Sequence, residues 1–211
     1  MKARNILFAL CLTPLWLTTG CAPLVVGGAA ATGAAVVHDR RSAGTVLDDQ
    51  TIEFQALGGL HADKELYKQA HINVTSYNRV ALLTGEAPTE ELKNRAAEIV
   101  RGIEKVRRVH NEITLAAPSS FTSRSADTLL TGRVKTAMVG IKGFDPTRVK
   151  VVTENGVVYL LGLVTRAEAE TATEAARTTS GVQRVVRIFE YVEEEKAQPD
   201  ESVLDAAPGI Q

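Results

Sequence analysis

Apolar and polar positions along this chain change their spacing in the same order twice. Ile72-Asn73-Val74-Thr75-Ser76-Tyr77 alternates and is rich in β-branched residues, which predicts a strand. Asn78-Arg79 predicts a turn, and Val80 to Thr84 a returning antiparallel strand closed by Gly85. Leu92, Ala96, Ile99, Val100 and Ile103 then recur at helical spacing behind Pro88, Glu90 and Glu91, which suit a helix N-terminus. Val106 to Leu115 returns to strand character, with Val109, Ile113 and Leu115 on one side.

The same series runs again from Val149 to Phe189, and its earlier copy spans Ile72 to Ile113. Asn78 falls on Asn155, Val80 on Val157, Leu83 on Leu160 and Gly85 on Gly162 at one offset. After the second helix the offset slips by one residue, and Val106 and Val109 match Val182 and Val185. Each copy is preceded by an amphipathic stretch. Ile52, Ala56, Leu57 and Leu60 predict a helix over Asp49–Leu60, frayed at Gly58 and Gly59. Leu130, Val134, Ala137 and Met138 predict another over Asp127–Val139. Asn155-Gly156 is the strongest hairpin signal, since a type I′ turn needs positive φ at both places. The strand that follows, Val157 to Val164, is apolar throughout, so both of its faces are expected to be covered. One face takes helices, and the other most simply takes the companion unit.

The expected fold class is therefore α+β, with two tandem α-β-β-α-β units. Each is a three-stranded sheet with two helices on one face. The expected boundaries are 45–115 and 125–192, with a Ser- and Pro-containing linker at 116–124.

The N-terminus adds an address. Lys2 and Arg4 precede the apolar run Ile6 to Leu12, and Leu17-Thr18-Thr19-Gly20 leads into Cys21. Residues 1–20 resemble a bacterial lipoprotein signal, in which the cysteine becomes the lipid-modified first residue. Thr18 stands where that family usually has leucine. Ala22 in the second mature position implies the outer membrane by the family's sorting rule. The alternative is an uncleaved anchor, because no charged residue occurs from Asn5 to Val37. Pro14 and the Gly27-Gly28 pair oppose so long a helix. Residues 21–44 are expected as a lipid-anchored flexible linker, and 193–211 as a disordered acidic tail.

Composition narrows the chemistry. The two cysteines, Cys11 and Cys21, both precede the folded units, so neither a disulfide framework nor a cysteine metal site is expected. His38, His61, His71 and His110 are scattered, and no phosphate loop or nucleophile elbow occurs. No enzyme, cofactor or metal is expected, and an exported chain with 5% aromatics suits nucleic acid poorly. Charge separates the copies. Thr45 to Leu115 holds nine basic and eleven acidic residues, net −2, whereas Ser125 to Phe189 holds nine and six, net +3.

Leu83-Thr84-Gly85 and Leu160-Leu161-Gly162, each followed by a helix and a Val-x-x-Val strand, resemble BON domains. Gly181-Val182-Gln183-Arg184-Val185 is a particularly good match. With the lipobox, the chain is similar to dual-BON outer-membrane lipoproteins over nearly its whole mature length. That resemblance implies attachment to the inner leaflet of the outer membrane, facing the periplasm, phospholipid binding and a role in envelope integrity, without catalysis. On the wheel of the second copy's opening helix, Leu129 and Val139 leave the core face beside Arg133 and Lys135. Apolar residues next to basic ones suit shallow insertion among anionic head groups such as phosphatidylglycerol or cardiolipin. Arg184 and Arg187 are candidates for the same patch. By constant offset, Ile52, Gln55, Ala56 and Gly58 take the places of Leu129, Gly132, Arg133 and Lys135. The expected residues are thus Cys21 for lipidation and Leu129, Arg133, Lys135, Val139 and Arg184 for lipid contact. The competing expectation is an adaptor that binds envelope proteins through its BON domains.

Overall fold

The computed structural model describes residues 39–193; Cys21, the signal and linker before 39, and the tail from 194 lie outside the described residues. The first unit contains α1 (Ala43–Ala62), α2 (Lys64–Gln69), β1 (His71–Tyr77), β2 (Val80–Ala87), α3 (Glu90–Arg101), β3 (Arg108–Asn111) and β4 (Thr114–Leu115). The second contains α4 (Phe121–Val139), a 3₁₀ turn at Pro146–Arg148, β5 (Val149–Glu154), β6 (Val157–Val164), α5 (Arg166–Arg177) and β7 (Arg184–Tyr191). In each, an antiparallel hairpin is followed by a helix and a strand that returns parallel to the second one. The helices cover one face of each sheet and close two separate cores.

Several local signals extend beyond the apolar periodicity. Ser42 Oγ accepts from the Thr45 N–H at 3.1 Å and starts α1 six residues before Asp49. Gly58 and Gly59 do not end that helix. Gly59 is instead a close-approach position, where a Cβ would stand 2.8 Å from Ile99 Cγ2 of α3. Asp63 then caps the short α2, which periodicity did not reveal. Ser120 starts α4 at Phe121, so 121–124 of the expected linker are helical. The last strand of the first unit is broken rather than continuous. Asn111 Oδ1 accepts from the Ile113 N–H, Ile113 turns into the core, and the chain rejoins β2 as β4. The first sheet therefore has four strands, and the second has three.

Two glycines fix the hairpins' far ends. Gly85 has φ +110, and a Cβ there would lie 2.0 Å from the His71 carbonyl oxygen. At Gly162 a Cβ would meet the Arg148 carbonyl oxygen at 2.6 Å. Both are backbone requirements. Both turns have positive φ at their two central residues, 52 and 62 at Asn78-Arg79 and 49 and 72 at Asn155-Gly156.

The units pack sheet against sheet. Tyr77, Val80 and Leu82 of the first meet Tyr159, Leu161 and Ile188 of the second in a shared apolar cluster. This is the partner that the unbroken apolar run of β6 demands. Polar contacts frame it: Lys150 pairs with Glu53 at 2.8 Å, Asn155 Nδ2 donates to Glu86 at 2.5 Å, and Arg107 pairs with Glu190. Arg40, just ahead of α1, reaches the second unit, where it donates to the Leu163 carbonyl and pairs with Glu168. The helical layers consequently face outward on opposite sides of the molecule.

Candidate membrane-contact face

A buried aspartate orients the opening helix of each unit. Asp49 accepts from the N–H groups of Asn78 and Arg79 at 2.8 and 2.6 Å. Asp127 does the same for Asn155 and Gly156, both at 2.9 Å. These bonds satisfy turn donors that the tight hairpins leave unpaired, and they fix the rotation of α1 and α4. Sequence reading missed the pair, although each aspartate stands at nearly the same distance before an Asn that opens a turn. The pairing also corrects the alignment of the helices by one residue. Ile52, Ala56 and Leu60 share the core role of Leu130, Val134 and Met138. Ile52 is 1% exposed and Leu129 65%, so these two are not equivalent. In the structural register Arg133 falls on Gln55 and Lys135 on Leu57. The first unit still lacks both cations.

With Asp127, Leu130, Val134 and Met138 turned inward, the opposite side of α4 is open to solvent. Leu129 and Val139 stand on it, joined by Phe121, which is 78% exposed. Phe121 escaped the sequence reading because the helix was expected to begin later; Ser120 as a cap was the available signal. Arg133 and Lys135 are both exposed and lie on either side of this apolar strip at helical angles. Between the apolar residues, the hydroxyls are engaged with the helix itself. Ser125 Oγ donates to the Phe121 carbonyl, Thr128 Oγ1 to Arg124 and Thr136 Oγ1 to Gly132. The threonines therefore present methyl groups outward. The sole acid of α4 is the buried Asp127, so no carboxylate opposes the cations along the outer face.

Arg184 does not join this face. Alternation along β7 puts it with Val186 and Ile188, on the side of the sheet turned to the first unit. There it opposes burial and Glu112, which push the Tyr159 hydroxyl up to about 12. Arg187 alternates to the helical side of β7, the strand covered by α5 rather than α4.

The outer side of α1 is different. Leu47, Phe54 and Leu57 are exposed there, but the helix has no lysine or arginine. Among the described residues no helix is long and apolar enough to cross a membrane. Nor does any group of three His, Cys, Asp or Glu among them form a metal site.

The BON domain family profile matches residues 48–117 and, separately, 126–193. The chain belongs to the BON domain family. Its two BON domains are the two units described above. It is 38% identical over 174 residues to outer membrane lipoprotein DolP of Haemophilus influenzae, covering 82% of this chain and 90% of that protein. The 21 kDa hemolysin of Actinobacillus pleuropneumoniae is 37% identical over 155 residues, 74% of this chain and 80% of its own. Osmotically-inducible protein Y of Escherichia coli is 26% identical over 156 residues, with 72% and 77% covered.

Proposed function

We propose that this BON protein is an outer-membrane lipoprotein that faces the periplasm. In this reading it is anchored by acyl chains on Cys21, holds anionic phospholipid through α4 of its second BON domain, and supports envelope integrity without catalysis. The observation that carries the lipid reading is the outer face of α4. Three exposed apolar side chains, Phe121, Leu129 and Val139, lie with Arg133 and Lys135 on a helix whose only carboxylate is buried. The name of the Haemophilus relative supports the location, and the Cys21 context supports the anchor.

The physical mechanism is additive. The acyl chains hold the protein at the bilayer, and contact through α4 adds a second attachment that depends on the head groups. Each cation at an anionic surface contributes about 1 kcal/mol. The apolar strip adds shallow burial among the acyl chains, so lipid contact should prefer phosphatidylglycerol or cardiolipin to zwitterionic lipid and weaken with salt.

Co-sedimentation of the unacylated chain with phosphatidylglycerol vesicles tests this. Arg133→Glu with Lys135→Glu reverses both charges, and affinity should fall by about thirtyfold or more, which is the loss of two cation contributions of about 1 kcal/mol each. Unchanged binding of the folded variant would remove α4 as the lipid contact.

A further inference from the structure

The open side of the two-sheet stack contains a groove that meets α4 along its Arg124, Thr128 and Thr131 side, at the margin of the outer face described above. β1 and β5 are the outermost strands of their sheets, and they lie beside each other. Asn73 Nδ2 donates to Glu154 at 3.0 Å, and Lys150 Nζ donates to the Ser76 carbonyl at 3.3 Å. Next to them a hollow of about 600 Å³ is walled by Phe54, Leu57 and Leu60 of α1 and runs over β1 to Thr153 and Glu154. Through Asn73 and Val152–Glu154 it continues into a second hollow of about 470 Å³, on the side of α4 that carries Thr128 and Thr131.

The floor of this groove is unpaired strand. Tyr77 and Val80 flank a two-residue turn, so they, Thr75–Leu82 and Asn73–Thr84 are the hydrogen-bonded pairs of the hairpin. Ile72, Val74 and Ser76 therefore direct their N–H and C=O groups away from β2. At Ser76 both are occupied, the N–H by Glu53 at 2.7 Å and the carbonyl by Lys150. At Ile72 and Val74, among the described residues, no partner takes them. These two residues line the larger hollow. An open edge beside an apolar wall is the geometry that accepts an added strand.

Side-chain alternation states what that strand must carry. Ile72 and Val74 pack toward the α1 layer, whereas Asn73 turns toward Glu154. A strand laid along β1 would alternate in the same way. One set of its side chains meets Phe54 and Leu57, and the other faces Glu154. Glu154 is buried close to two further buried acids, Glu86 and Asp127, which with burial raise its pKa. The three carboxylates are bonded to amides rather than to cations: Glu154 to Asn73, Glu86 to Asn155 and the Ser119 N–H, and Asp127 to the turn. Arg124 also lines the second hollow, where it donates to the Ser119 carbonyl, and the three acids outnumber it, so a further cation at Glu154 finds charge to complement.

We propose that this groove receives an extended segment of another protein. The segment is added as a strand to the free edge of β1, with apolar side chains toward α1 and a lysine or arginine opposite Glu154. This docking site is independent of the lipid reading, so the protein can engage a bilayer and a polypeptide at once.

The test uses the full chain in phosphatidylcholine nanodiscs, with empty nanodiscs as blank. The probes are a capped eight-residue peptide alternating leucine with lysine and its leucine–glutamate counterpart. The lysine peptide should bind at least about tenfold more tightly. It should slow hydrogen exchange of the Ile72 and Val74 amides by about tenfold or more, while Asn73 and Thr75, already in the ladder, stay unchanged. Val74→Pro removes an edge donor that the β1–β2 ladder does not use, and should abolish that binding. Phe54→Ser, on an exposed helix position, should weaken it without touching the fold. Equal binding of the two peptides overturns the proposal. So does binding that survives both substitutions, or protection at Val151 and Thr153 in place of Ile72 and Val74. Protection that grows with protein concentration in the absence of peptide would assign the groove to a second copy, and also overturns it.

Discussion

Asp127 shows how a single side chain sets the orientation of the surface proposed to meet lipid. It is buried, and its two oxygens hold the N–H groups of Asn155 and Gly156. Replacing it with alanine leaves two turn donors unsatisfied and frees the rotation of α4. Asp127→Ala should lose about 2–4 kcal/mol in urea unfolding, from two charge-assisted hydrogen bonds and the stranded donors. A loss below about 0.5 kcal/mol, the range of ordinary surface substitutions, would contradict that role. Gly85 and Gly162 belong to the same scale. Their need for a missing side chain was readable from the repeat because both copies keep glycine at the end of the second strand. The carbonyls they accommodate, of His71 at the start of β1 and of Arg148 just before β5, are visible only in the fold.

At the scale of elements, α1 and α4 are one helix adapted to two surroundings. Both place an aspartate on the hairpin turn and an apolar stripe on the core. Outward, α4 carries cations and apolar groups, and α1 carries apolar groups without a cation. The repeated hairpin, crossover helix and final strand were legible because their apolar periods are strong and the copies confirm each other. Leu129, Val139, Arg133 and Lys135 were legible for the same reason, since a helical wheel needs no tertiary information. Phe121 was not, because it precedes the periodic stretch and depends on the Ser120 cap. Arg184 was misplaced because a strand's alternation can be assigned to a face only when its neighbours are known. The one-residue shift between α1 and α4 was hidden by the uniform offset of the hairpins, and the Asp–turn bonds reveal it. The edge groove is invisible in sequence, being made where β1 and β5 meet.

For the whole molecule, the two BON domains are joined by an apolar sheet-to-sheet cluster and by charges that cross it. Burial raises the pKa of Glu168, but Arg40, the Thr165 N–H and Arg148 outweigh it and hold this carboxyl at about 2. A carboxylate whose pKa is depressed on folding stabilises the native state above its ordinary pKa, 4.5, and loses that contribution as pH falls toward about 2. That contribution is up to about 3 kcal/mol from a shift of this size. Glu154 is raised and has the opposite sign, so it offsets part of the loss. Urea unfolding between pH 5 and pH 2 should therefore show a fall in stability in the native protein that is smaller in Glu168→Gln. Equal pH dependence in the two would show that the Arg40–Glu168–Arg148 contact contributes nothing to the assembly.

The stack turns α1 and α4 to opposite sides, and only one of them combines apolar groups with free cations. That asymmetry is the central claim, and it can be read in one measurement. Nitroxide-labelled lipid is placed in bilayers containing phosphatidylglycerol, and paramagnetic broadening of the bound protein's amide signals is recorded. Broadening should be strongest at Phe121, Leu129, Arg133 and Val139 of α4 and weak at Leu47, Phe54 and Leu57 of α1. Broadening centred on α1, or spread evenly over both helices, would contradict the assignment of the membrane-facing side.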